Sequence, residues 1–282
     1  MPMKAHEEQY EEDRRRNLRF SAGKEDVAEG HVRKWLKIER EGDEPVPCLL
    51  VHKPPAPSGK LMLFLHGLDG RKEDALDIMT MADPLDFSAL AIDARMHGER
   101  KGDMSKVGPT DILAGFSKTI VDNRLALDVA FQQGWALPGK VVLAGVSMGG
   151  ILGGVVAGVD QRIMGAALLV PGGDLAGILA ESKHPMVAQF RGRIPGFVLR
   201  AIGGQLANVD PINYVDKIAP RPLLIQLGKH DIFVPFENGM KLFEKAKEPK
   251  DLVVHDSGHE LPMDRAAAET VQWITKRLPN LA

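Results

Sequence analysis

The stretch "VVLAGVSMGG", residues 141–150, decides how this chain is read. Apolar and β-branched residues lead into Ser147, with Gly145 two positions before it and Gly149 two positions after. β-Branched residues favour a strand, and the run that follows stays apolar and glycine-rich as far as Val159. Residues 141–159 carry no charge, so hydropathy alone admits a membrane helix. The glycines argue against one, because they lower both hydrophobicity and helix stability. A buried strand, a sharp turn and a buried helix fit the segment better. Such a turn holds a hydroxyl up at the sheet edge. Side chains in place of the flanking glycines would collide with the neighbouring strand and helix.

Outward from this stretch, the chain alternates apolar strands with helices. The segments 60–67, 88–98, 140–146, 163–173, 221–228 and 250–258 read as strands. Helices are expected over 73–85, 111–134, 148–159 and 263–278. Before them, 31–39 and 46–53 read as two strands joined by the turn-rich "REGDEP". Continuous apolar strands separated by helices imply a mostly parallel sheet covered on both faces, an α/β class. In such sheets ligands bind at the carboxyl ends of the strands.

Two segments break this rhythm. Residues 1–29 are expected to be an N-terminal helical extension, with Glu11–Arg15 and Glu12–Arg16 spaced as stabilising pairs. A plain surface helix is the simplest reading, and a dimer contact or a flap over a site are the others. Residues 30–282 then form one domain, with an insertion at about 174–206. That insertion carries Phe190 and Phe197 among other apolar residues. It reads as a helical lid whose phenylalanines line a substrate pocket, or else as an ordinary packing pair.

Composition narrows the function classes. The 282 residues are 44% hydrophobic and 26% charged, with net charge −2. No basic field exists to hold nucleic acid or an anionic membrane. The one cysteine, Cys48, cannot form an internal disulfide or a cysteine-based zinc site. It fits a reducing compartment. The opening "MPMKAHEEQYEEDRRR" is too charged for a signal peptide, so the expected location is cytoplasmic.

A serine hydroxyl becomes a nucleophile when a base takes its proton and donors stabilise the oxyanion. The Gly145–Gly149 elbow supplies the position for Ser147, and the helix behind it offers the Met148 N–H. Three more stretches lie at strand ends: "HGLDG" (66–70), "GKHDIFVP" (228–235) and "DSGHE" (256–260). With the elbow, they make the chain resemble an α/β-hydrolase over roughly residues 30–282. The acid loop is most similar to dienelactone-hydrolase-like and prolyl-oligopeptidase-like members. The order Ser, Asp, His is the one this fold uses. The resemblance implies that Ser147 is the nucleophile, His259 the general base and Asp231 the acid that orients it. It also implies that the N–H groups of Leu68 and Met148 form an oxyanion hole, with no cofactor and no metal.

The rival residues are weighed against these. His255 and His259 are four apart, but "HDSGH" contains Gly258 and follows a strand, whereas a metal pair at that spacing needs a helix. Asp256 competes for the acid role but is too close in sequence to reach the outer ring nitrogen easily. His66 reads as fixing the oxyanion loop, and Asp93, Arg95 and His97 as loop scaffolding. The expected function is a serine carboxylesterase for small to medium soluble esters. Its partner is a small-molecule ester, with homodimer formation left open. A peptidase, amidase or thioesterase is the alternative within enzymes. A hydrolase fold that only binds a small ligand is the alternative outside them.

Overall fold

The computed structural model describes residues 2–15, 18–102, 107–193 and 205–281. Its strands are β1 (Arg19–Ala28), β2 (His31–Glu39), β3 (Val46–His52), β4 (Gly59–Leu65) and β5 (Ser88–Ile92). They continue with β6 (Ala136–Val146), β7 (Ile163–Leu169), β8 (Leu223–Gly228) and β9 (Lys250–His255). All lie in one sheet in the order β1-β2-β3-β5-β4-β6-β7-β8-β9. The pairs from β1 to β5 are antiparallel, and the neighbours from β5 to β9 are parallel. The chain therefore has the α/β-hydrolase fold: a mostly parallel sheet flanked by helices.

Strand residues point alternately to opposite faces, and here both faces are core. Leu61, Leu63, Leu143, Leu168 and Ile225 belong to one buried cluster, beside the helices α3 (Pro109–Gln132) and α4 (Met148–Val159). Met62, Phe64, Val142, Ala167 and Leu224 belong to the other, beside α2 (Met79–Ala82) and the C-terminal helix Met263–Arg277. Burial on two faces is why these strands are continuously apolar rather than alternating. The uncharged 141–159 segment is the end of β6, the Ser147 turn and α4. No helix among the described residues is long and apolar enough to cross a membrane.

Two expectations are corrected. The N-terminal segment is helical over α1 (Pro2–Arg15), but its residues 19–28 are not helical and form β1 at the sheet edge. The β1 sequence "RFSAGKEDVA" is charged and mostly exposed, with a register irregularity between Ala22 and Glu25. Edge strands carry such features, which hide them from a search for apolar alternation. The helix expected over 73–85 is broken into a 3-10 turn (Lys72–Leu76), α2, and a second 3-10 turn (Asp83–Leu85). Pro84 lacks the N–H that an α-helix needs there.

Helix α1 packs on α3. The Tyr10 hydroxyl donates to Asp128 at 2.7 Å, and the Arg124 guanidinium lies 3.6 Å from the Tyr10 ring centre. Arg124 also bonds Glu7 of α1 at 2.9 Å.

Farther along α3, Asp122 is fully buried and accepts hydrogen bonds from Arg40 (2.8 Å), Arg95 (3.0 Å) and Arg100 (2.8 Å). Asp43 shares Arg40 and Arg95. Burial alone would raise the Asp122 pKa, but the three guanidiniums outweigh it and hold the carboxyl below its ordinary range. Arg95 and Arg100 belong to the loop after β5, so this cluster ties that loop to α3. Replacing Asp122 with Ala takes the buried carboxylate from three buried guanidiniums, whose other partners Asp43 and Glu44 remain, and is expected to cost about 3 kcal/mol, read as a lower urea midpoint. A folded-state pKa below the unfolded value gives stability that is present at neutral pH. It is lost as pH falls through and below the ordinary carboxylate range of about 4. The stability difference between wild type and Asp122→Ala should therefore shrink in acid.

Candidate active site

Four loops leave the carboxyl ends of β4, β6, β8 and β9, and they converge. At the end of β6 the chain turns into α4 at Ser147, whose φ is 55° and ψ −119°. A non-glycine residue held there stores about 1–3 kcal/mol of strain. The Ser147 N–H donates to the Leu169 carbonyl at 2.8 Å. The turn is tight on both sides. A β-carbon on Gly145 would lie 2.4 Å from the Gly149 carbonyl oxygen, and one on Gly149 would lie 2.0 Å from that of Leu65. The elbow glycines are there because backbone occupies the space.

The loop after β9 brings His259 over Ser147. Its Nε2 lies 2.8 Å from Ser147 Oγ, and its Nδ1 lies 2.7 Å from Asp231 Oδ2. An ionised carboxylate only accepts hydrogen bonds, so Nδ1 carries the proton and Nε2 is free to accept the serine hydroxyl. The other Asp231 oxygen accepts from the N–H groups of Phe233 (2.8 Å) and Val234 (3.0 Å). The carboxylate side chain is 3% exposed and the imidazole 17%. The arrangement can move a proton from a hydroxyl to an imidazole whose cation a buried carboxylate steadies.

The loop after β4 lies beside the elbow. A β-carbon on Gly67 would be 3.5 Å from the Ser147 β-carbon, so the Gly67 backbone abuts the serine. Met148 opens α4, and the first N–H groups of a helix have no acceptor within it. His66 holds this loop: its Nδ1–H donates to the Gly67 carbonyl (2.8 Å), and its Nε2 accepts the Ala94 N–H (3.0 Å). Burial pushes the His66 pKa down, which keeps the imidazole neutral for that pair of bonds. Asp93 bonds the N–H and the ammonium of Lys72 and the N–H of Glu99, so it ties the loops after β4 and β5 together.

The rival residues go elsewhere. His255 is buried against Gln226 at 2.8 Å. Asp256 is 88% exposed and pairs with His230. Of the residues assigned to a pocket, Phe190 lies half-buried on α6 (Pro185–Arg193), while Phe197 lies outside the described residues. Sequence reasoning missed two neighbours of the site. The Phe233 ring lies 5.3 Å from that of His259, and the His184 ring lies 4.9 Å from that of Phe233. The available signals were an aromatic residue two positions past the acid, and a histidine just before the proline that opens α6.

Comparison with known proteins follows the same line. Residues 117–278, more than half of the chain, match the model of the prolyl oligopeptidase family. The Bacillus subtilis (strain 168) protein named "Putative esterase YitV" is 27% identical over 226 residues, covering 76% of this chain and 87% of that one. The YfhR protein of Escherichia coli O157:H7 is 26% identical over 201 residues. That match covers 71% of this chain but only 62% of YfhR's length. The structure of an acetyl xylan esterase from Paenibacillus sp. R4 superposes with a TM-score of 0.80 at 19% identity, covering 98% of this chain and 93% of that one.

The elbow geometry has a direct consequence. Gly149→Ala would drive a methyl into the Leu65 carbonyl and should destabilise the fold by at least about 3 kcal/mol. Gly192→Ala, on α6, meets nothing within 4 Å and should be neutral or slightly stabilising. Urea midpoints of the two variants check the contrast.

Proposed function

The chain belongs to the prolyl oligopeptidase family, and on that premise we propose that it is a serine carboxylesterase acting on small to medium soluble esters. The observation that carries the reading is the hydrogen-bonded line from Ser147 Oγ through His259 to Asp231 at a strand–helix elbow. Ser147 Oγ attacks the ester carbonyl carbon while His259 Nε2 takes its proton. The tetrahedral oxyanion sits against the N–H groups of Met148 and Leu68, which cost no reorganisation as charge develops. His259 then gives its proton to the departing alkoxide, leaving an acyl group on Ser147. Water, deprotonated by His259, attacks the acyl carbon, and Ser147 leaves with the proton as the acid departs. Asp231 stays ionised and stabilises the imidazolium in both halves.

The name of the Bacillus relative supports ester over amide bonds, and the family's name supports the peptidase reading that rivals it. The segment after β7 supports a lid in this proposal. Its helices α5 (Leu175–Glu181) and α6 arise at the same sheet edge as Ser147, and the Lys183 N–H bonds the Ile232 carbonyl in the acid loop at 2.9 Å.

A fluorophosphonate should label Ser147, and Ser147→Ala should lose about 10⁵–10⁶ in kcat on p-nitrophenyl butyrate, because the triad acts as a unit. Turnover of peptide anilides with inertness toward esters would replace the ester reading with the peptidase one. A wild type that binds ligand but turns over neither would remove the enzyme. Phe190→Ala should change the ratio of kcat/KM between acetyl and hexanoyl esters at least several-fold. An unchanged ratio makes α6 ordinary packing.

A further inference from the structure

His259 is held at both ends in the resting site, by Asp231 Oδ2 at Nδ1 (2.7 Å) and by Ser147 Oγ at Nε2 (2.8 Å). The reaction removes one of these supports. Once Ser147 Oγ is bonded to the acyl carbon it has no proton to give. Nε2 must then protonate a departing alkoxide, or take a proton from water. Through those steps the Asp231 carboxylate grips the ring at one end only, and a packing neighbour has to keep the other end in line.

Phe233 is that neighbour. Its ring centre lies 5.3 Å from that of His259, with the planes tilted by 52°, within the range at which aromatic rings attract. Its own N–H donates to Asp231 Oδ1 at 2.8 Å, so one residue touches both the imidazole and the carboxylate that orients it. The Phe233 ring in turn meets His184 in a T-shaped contact, with centres 4.9 Å apart. His184 is itself fixed ahead of α6. Its N–H donates to Ser182 Oγ (3.2 Å), and its Nδ1 accepts the Met186 N–H (3.3 Å). Ser182 is buried, and its carbonyl accepts from Arg191 of α6 (3.0 Å), which also bonds the Leu179 carbonyl of α5 (2.9 Å). The Lys183 N–H bonds the Ile232 carbonyl at 2.9 Å, so backbone as well as ring ties the α5–α6 segment to the acid loop. A continuous line of contacts runs from Arg191 through Ser182, His184 and Phe233 to His259.

We infer that Phe233 is a positioning residue through which the α5–α6 segment keeps His259 in line once Ser147 no longer hydrogen-bonds it. This rests on the esterase reading above and adds a part to its machinery. The Phe233 side chain offers no group to the chemistry; its ring acts on the imidazole. An imidazole that swings by an ångström loses its proton-transfer geometry, and such misplacement costs up to about a hundred-fold. The cost falls on steps that need His259 without the serine's help. Expulsion of an alkoxide is one, because the alcohol departs only with a proton. Expulsion of p-nitrophenolate is not, because it departs as the anion. Attack by Ser147 precedes both and begins with the imidazole held at both ends.

The matched substrates are ethyl butyrate and p-nitrophenyl butyrate, compared as kcat/KM by pH-stat, with fluorophosphonate labelling of Ser147 in each variant. Phe233→Ala should lower kcat/KM for ethyl butyrate at least about ten-fold, while that for p-nitrophenyl butyrate stays within about three-fold. Phe233→Tyr, which keeps the ring, should restore the wild-type ratio of the two esters. His184→Ala should shift the ratio in the same direction by less, and should add nothing to Phe233→Ala in the double variant. A lost fraction of folded enzyme lowers both esters alike, so an equal fall overturns the inference, as does an unchanged ratio in a labelled Phe233→Ala. A His184→Ala effect that multiplies with that of Phe233→Ala overturns the link to α5–α6. If Phe233→Ala takes up no label, Phe233→Leu, which fills the space without a ring, is judged by the same ratio. A wild type that hydrolyses neither ester and takes up no label overturns the esterase reading itself, whereas wild-type turnover with an unmoved ratio in the variants leaves that reading standing.

Discussion

At Gly149 the first turn of α4 lies against the Leu65 carbonyl, so close that any β-carbon would sit 2.0 Å from the oxygen. That contact lets β6 end and α4 begin within one residue, and it places Ser147 in its strained conformation. It also brings Gly67, just past the end of β4, beside the serine. A bulkier residue at 149 would push α4 off the sheet. The Met148 N–H, the Ser147 hydroxyl and the β4 loop would then part company. The strain at Ser147 is sustained because α4 is buried along its whole length, so the helix cannot relax outward.

The histidines show how surroundings assign roles to identical side chains. His66 has both nitrogens engaged by backbone, donating to Gly67 and accepting from Ala94, and so serves as a brace. His255 is packed against Gln226 in the core. His230 faces solvent with Asp256. Only His259 among these has one nitrogen on a buried carboxylate and the other on a hydroxyl. Similar placement separates the acids. Asp231 is gripped by two backbone N–H groups and an imidazole, whereas Asp122 is encircled by guanidiniums and holds the scaffold.

Much of this was legible beforehand. Leu61 to Leu65, Val141 to Ala144 and Leu223 to Leu227 read as buried strands because both faces of a parallel sheet are covered, leaving no polar alternation to confuse them. Ser147, Asp231 and His259 stood out because each follows such a strand. β1 was not legible. Its pairing to β2 depends on backbone bonds that any sequence can make, and its side chains are largely in water. The break at 73–85 was signalled by Pro84 and overlooked because the apolar spacing on either side suits a helix.

By itself, the order of apolar runs, glycines and loop residues determined an α/β sheet with a serine raised at one edge. It did so because strand burial and backbone clearance are local demands that leave local marks. The meeting of that serine with side chains 84 and 112 positions away was decided only by the parallel stacking of β6, β7, β8 and β9. So was the arrival of His184 and Phe233 beside them, because a ring contact between loops leaves no periodic trace in either segment. Long-range proximity is a property of the strand order, and no short stretch of the chain contains that order.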